Sequence, residues 1–299
     1  MKKFIFLIFL FSFSAFAGGK LTNISPNLSI YSEYYPNSSA KFKGTIIFEN
    51  GSGTDINEWK HNKKFFNCVK QMGSVFLYDR NGLGKSPPDF QLSSSNPLTA
   101  KLVSGKLSIL LKQLNIKPPY LFVAHSYGAI YISYFILKNP DLVKGLLLVD
   151  PVPRDFNFSN KQIDKLKISI EEAKINPAKY IYKKYGGRKT EVFYQLLGFD
   201  ESKQSIRLLG NIKNSIPIII ISSTGMEKDH PLKEDWYASQ MQWLNKNQNS
   251  KIIQVSSGHF IQFEKPQKVC DALKQASVMP LSFRQSYIRL DSIAKKQMQ

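Results

Sequence analysis

Short runs of consecutive apolar residues recur along the chain, and the stretches between them carry apolar residues every three or four positions. A brief apolar run without polar alternation is what a strand needs when both faces of its sheet are covered. Residues 44–48, 74–78, 120–123, 145–149, 216–221 and 251–255 read as such strands. Residues 59–72 and 99–116 read as amphipathic helices and 128–137 as a helix with recurring apolar residues, with further helices over 236–244 and 266–276. Strand and helix in alternation predict an α/β domain with a mostly parallel central sheet flanked by helices. Ahead of it, residues 27–35 alternate weakly and read as an edge strand and turn.

Two segments depart from this rhythm. Residues 152–214 interrupt it: Ile163, Leu166, Ile170 and Ala173 mark one amphipathic helix, and residues 180–185 and 191–197 suggest two more. No second core is evident there, so the segment reads as a helical insertion within one domain. Residues 1–17 begin with Lys2 and Lys3, continue as an apolar run from Phe4 to Phe11 and end in Ala15-Phe16-Ala17. That is the pattern of a secretory signal peptide, and its apolar run falls short of the roughly 18 residues of a membrane span. The expectation is export to the periplasm or beyond, with a domain over 18–278 and a polar tail over 279–299.

Composition adds little to the fold and more to the surroundings. At 42% hydrophobic residues the chain can build a sizeable core. The formal net charge of +19 raises the question of nucleic acid, but the lysines are scattered and no nucleic-acid-binding motif is present. A solvated basic surface is the plainer reading, with weak attraction to an anionic membrane surface or an acidic substrate as the alternative. The two cysteines, Cys68 and Cys270, lie far apart in sequence.

Candidate chemistry centres on the run 120–134. Apolar residues 120–123 lead into Ala124-His125-Ser126-Tyr127-Gly128, after which helical spacing begins. Strand, sharp turn and helix present the Ser126 hydroxyl clear of the backbone, while small residues at 124 and 128 let strand and helix pack closely. Of the four histidines, His259 follows the last strand and is the candidate base. His125, adjacent to the serine, is expected to point elsewhere and to pack. Asp150 ends the strand after the serine turn, and Asp229 lies in the loop after the next one; Glu227 is a third, weaker candidate for the acid. Asp150 is preferred, because it leaves a buried strand directly and Pro151 stiffens the exit.

These residues carry a resemblance. The pentapeptide at 124–128, the glycine-rich turn at Gly51-Ser52-Gly53, the turn Asp79 to Ser86 and the pair Gly258-His259 resemble the α/β-hydrolase family over roughly residues 43–277. Ala124 stands where the family's pentapeptide usually has glycine. The resemblance implies an α/β-hydrolase fold in which residues 152–214 form a helical lid. It also implies a serine nucleophile at Ser126, a triad with His259 and an acid, and an oxyanion hole from the N–H groups of Ser52 and Tyr127. It brings the helices that carry Cys68 and Cys270 to one face of the sheet, so a Cys68–Cys270 disulfide is expected in an exported chain. The Gly82-Leu83-Gly84 stretch lacks the helix and third glycine of a dinucleotide site and is read as structural.

The resulting expectation is an exported serine hydrolase acting on a carboxylic ester or related acyl bond of a small molecule, with no metal or organic cofactor. Acyl transfer or peptide cleavage on the same triad, and an inactive binding protein on the same fold, remain open.

Overall fold

The computed structural model describes residues 18–225 and 236–279. It opens with an antiparallel hairpin of β1 (Gly18–Ser25) and β2 (Leu28–Tyr35). The alternation then runs β3 (Thr45–Glu49), α1 (Asn57–Lys60), α2 (Lys63–Met72), β4 (Ser74–Tyr78), α3 (Ala100–Gln113), β5 (Tyr120–His125), α4 (Gly128–Lys138) and β6 (Val143–Val149). Three helices follow before the sheet resumes: α5 (Asn160–Ile175), α6 (Ala178–Leu197) and α7 (Phe199–Leu209). The remainder is β7 (Ile218–Ser223), α8 (Trp236–Gln240), β8 (Lys251–Val255), α9 (Ile261–Glu264) and α10 (Pro266–Val278). The leader-like segment, the tail from residue 280 and the loop holding Glu227, Asp229 and His230 lie outside the described residues.

One eight-stranded sheet in the order β1-β2-β4-β3-β5-β6-β7-β8 organises the chain. The pairs from β4 through β8 are parallel, and β2 joins β4 antiparallel. Successive side chains on a strand point to opposite faces, and here each face meets its own core. Ile47, Phe122, Leu146, Leu148, Ile218 and Ile220 enter the core beneath α3 and α4. Their neighbours Ile46, Phe48, Val123, Leu147, Ile219 and Ile221 enter the core shared with α2 and α10. Double coverage is why these strands lack polar alternation.

The fold expectation holds, with local corrections. The segment over 27–35 is not an edge strand: β1, which polar residues disguise, pairs outside it. The helix expected over 59–72 is two helices, because the Asn62 side chain accepts from Phe65 N–H and restarts the helix there. The helices expected over 180–185 and 191–197 lie on either side of a kink within α6 at Gly186, where φ is +79° and the backbone leaves the helical region. Helix α7 adds to the helices expected within 152–214, and the helix expected over 236–244 is α8 followed by a 3-10 turn at Met241–Trp243.

Cys68 on α2 and Cys270 on α10 are joined by a disulfide, with Cα atoms 6.5 Å apart across a sequence separation of 202 residues. No helix among the described residues is long and apolar enough to cross a membrane. Closing so large a loop restricts the unfolded chain, an effect typically worth about 2–4 kcal/mol. Thiol titration of the denatured, unreduced protein should find no free cysteine, and the Cys68→Ser/Cys270→Ser variant should melt several degrees lower. Two titratable thiols with an unchanged melting curve would exclude the bond.

Candidate active site

Strand β5 ends at His125, α4 begins at Gly128, and the chain reverses between them at Ser126, whose φ is +52°. A non-glycine residue in the left-handed region costs roughly 1–2 kcal/mol and persists only where its surroundings hold it. Here Ser126 N–H donates to Val149 O at 3.1 Å, and Ser126 O accepts from Val152 N–H at 3.2 Å. The turn is therefore tied to the exit of β6. A Cβ at Gly128 would come within 2.6 Å of Asn50 O, so only glycine lets the elbow approach the turn after β3.

The structure brings Ser126, His259 and Asp150 together. His259 Nε2 is 2.9 Å from Ser126 Oγ, and His259 Nδ1 is 2.7 Å from Asp150 Oδ2. Asp150 is fully buried at the end of β6 with φ +43°. Its carboxylate also accepts from Ser223 N–H at 2.9 Å, Ser223 Oγ at 2.7 Å, Trp236 Nε1–H at 2.8 Å and Gln240 Nε2 at 3.0 Å. Burial by itself would raise the Asp150 pKa, but the His259 partner and these donors outweigh it and hold the carboxyl below its ordinary value. An ionised Asp150 accepts only, so the proton sits on His259 Nδ1 and leaves Nε2 free to accept from the Ser126 hydroxyl. Ser223, Trp236 and Gln240 escaped the sequence reading. The i, i+4 spacing of Trp236 and Gln240 puts them on one helix face, but nothing local says what that face meets.

The turn over Gly51-Ser52-Gly53 lies beside the elbow because β3 and β5 are parallel neighbours that pair Glu49 with Ala124. Gly51 N–H donates to Glu58 Oε2 at 2.9 Å and Gly53 N–H to Glu191 Oε2 at 2.6 Å. Between them Ser52 N–H has no hydrogen-bond partner among the described residues, and neither has Tyr127 N–H at the start of α4.

Buried charge holds this turn from below. Arg80 donates to Glu49 Oε1 at 2.7 Å, Asn50 O at 2.8 Å and Gly51 O at 2.6 Å, and pairs with Glu191 of α6. One guanidinium thus joins the β3 turn to the helical insertion. Burial pushes Glu49 up to about 7 against the pull of Arg80. Gly187 presses on Gly82 O with no space for a side chain, which gives the Asp79 to Ser86 turn a docking role. His125 is buried as expected, yet its Nδ1 lies against the Glu58 carboxylate and its Nε2 lies 3.1 Å from His259 O.

No family model matches the chain. It is 29% identical over 248 residues to YqjL, an uncharacterised protein of Bacillus subtilis (strain 168), covering 78% of this chain and 86% of that one. Among solved structures, haloalkane dehalogenase DbeA from Bradyrhizobium elkani USDA94 matches with a TM-score of 0.63 at 14% identity, over 87% of this chain and 97% of that one. A putative lipase from Acinetobacter baumannii AYE matches with a TM-score of 0.59 at 16% identity, over 87% and 92%. The chain has the α/β-hydrolase fold. In an α/β-hydrolase the elbow, the acid at the end of a strand and the histidine after the last strand meet at the carboxyl edge of the sheet, where Ser126, Asp150 and His259 lie in this chain.

The depressed Asp150 pKa has a stability consequence. A carboxyl with a folded pKa below its unfolded value of about 3.9 stabilises the fold above that value, and the contribution fades as pH falls through the folded pKa. Thermal melts from pH 7 down to pH 2 should show wild type losing more stability below about pH 4 than Asp150→Asn does. Parallel acid limbs for the two proteins would contradict the assignment of an ionised, stabilised Asp150.

Proposed function

We propose that this chain is a serine hydrolase that cleaves a carboxylic ester or related acyl bond of a small molecule through an acyl-enzyme on Ser126. The observation that carries the reading is the continuous relay from Asp150 through His259 to Ser126, at 2.7 and 2.9 Å. The likeness to solved structures of a haloalkane dehalogenase and a putative lipase supports a hydrolytic reaction on this fold.

In this reading Ser126 Oγ attacks the acyl carbon as His259 Nε2 takes its proton, and Asp150 holds the imidazole in the required tautomer and stabilises the imidazolium. The oxyanion forms against the N–H groups of Ser52 and Tyr127, where one such donor is typically worth about 3–4 kcal/mol. His259 gives the proton to the leaving alkoxide, then takes one from the water that attacks the acyl-enzyme and returns it to Ser126 Oγ as the acid is released. These steps need only the named side chains, two backbone N–H groups and water. The leader-like segment 1–17 and the disulfide support export to an oxidising compartment.

Mature protein should be labelled at Ser126 by a fluorophosphonate and should hydrolyse short p-nitrophenyl esters, whereas Ser126→Ala does neither. Well-folded wild type that resists labelling would reject the reading in favour of a binding protein. Asp150→Asn should remain folded and lose on the order of 10⁴ in kcat, as wrong-tautomer triads do. Asp229→Asn should lose less than about tenfold, a barrier change under about 1.4 kcal/mol. The opposite pattern would move the acid to the later loop.

A further inference from the structure

His125 is buried to 1% exposure at the end of β5, and the triad reaction makes no use of it. Its Nε2 faces the main-chain oxygen of His259 at 3.1 Å. A carbonyl oxygen only accepts, so Nε2 carries a proton. Its Nδ1 faces the buried Glu58 carboxylate of α1. That carboxylate already accepts from Gly51 N–H at 2.9 Å, from the Gln262 amide at 2.6 Å and from Thr54 Oγ1 at 2.5 Å. Gly51 N–H can only donate and Gln262 presents its Nε2 donor, as around an ionised carboxylate. Nδ1 therefore carries a proton as well, and His125 is an imidazolium paired with a glutamate.

The pair spans two loops of different origin. Through Glu58 it grips the turn that carries Ser52, and through His125 it grips the backbone of His259. We propose that Glu58 and His125 are positioning residues for the reaction on Ser126: the ion pair fixes the spacing between the oxyanion turn and the general base. This rests on the serine-hydrolase reading of the site. Among the described residues, the charged or titratable groups around the His125 ring are Glu58 from α1, Asp150 from the end of β6 and His259 from the loop after β8. Trp59 and Phe260 supply apolar walls. Burial alone would strip the second proton from His125, but the Glu58 charge prevails and holds its pKa above the ordinary value.

The balance of charge has a readout that packing lacks. The cationic end of the pair lies nearer His259, with ring centroids 4.7 Å apart, and it opposes a proton on that ring. Glu58→Gln/His125→Gln removes both charges together, so the fold is not asked to bury an unpaired one. The double variant should be folded by circular dichroism and lose on the order of 10- to 100-fold in kcat towards a p-nitrophenyl ester, as small misplacements of reacting groups do. Its KM should stay within about twofold, and the acid limb of its kcat/KM profile should move to higher pH. A folded double variant with wild-type kcat and an unmoved pH profile would overturn the proposal.

A second measurement needs no variant. In ¹⁵N-histidine-labelled wild type with assigned resonances, His125 should keep both ring N–H protons through pH 8. A neutral His125 at pH 7 would overturn the proposal even if the double variant fails to fold. Both tests are distinct from fluorophosphonate labelling of wild type, whose failure would remove the hydrolase reading itself.

Discussion

Presenting a serine hydroxyl at the end of a buried strand forces the backbone into a turn that L-residues resist, and much of the structure around the sheet edge serves to hold that turn. Ser126 keeps its positive φ because its N–H and C=O are bonded to Val149 and Val152 at the exit of the neighbouring strand. Asp150, at that same exit, is itself held at positive φ. Two strained residues on adjacent parallel strands thus support one another. The glycine at 128 removes the last obstacle by letting the elbow close on the turn after β3. Strain of this kind locates a site because only a surrounding structure that overdetermines it keeps it populated.

The second feature is charge held below the surface. Glu58 with His125, Arg80 between Glu49 and Glu191, and the Asp150 carboxylate among its hydrogen-bond donors lie at or beside the carboxyl edge of the sheet. Removing one partner of a buried pair costs about 3–5 kcal/mol, because the other charge is left without compensation. Each pair also joins segments that are distant in sequence. Arg80 ties the β3 turn to α6, Glu58 ties it to His125, and Asp150 ties β6 to α8 and to the loop carrying His259. Hydrophobic contacts fill the layers, but directional bonds to charge decide where these loops stop, since apolar burial is non-directional.

Much of this molecule was legible without coordinates. The apolar runs at 44–48, 120–123, 145–149 and 216–221 declare a parallel sheet because a strand covered on both faces has no room for polar alternation. Ser126 stood out because strand, turn and helix signals meet around it, and His259 because few histidines exist and it follows the last strand. Those signals are local. They depend on one residue's neighbours along the chain, which is the information a sequence states directly.

Tertiary structure decided what depends on neighbours across the sheet. Strand β1 carries no apolar run and exists because β2 offers it an edge, and α6 kinks at Gly186, where the backbone leaves the helical region. The five donors on Asp150 come from Ser223, Trp236, Gln240 and His259, which no spacing connects to it. His125 looked like a packing residue because its partner Glu58 lies on another element, and the charge state of a buried group is set by what surrounds it in space. The sequence by itself determined which residue types reach the sheet's edge. Only folding determined which of them share a proton, because a hydrogen bond is fixed within a few tenths of an ångström and no local pattern specifies distance across strands.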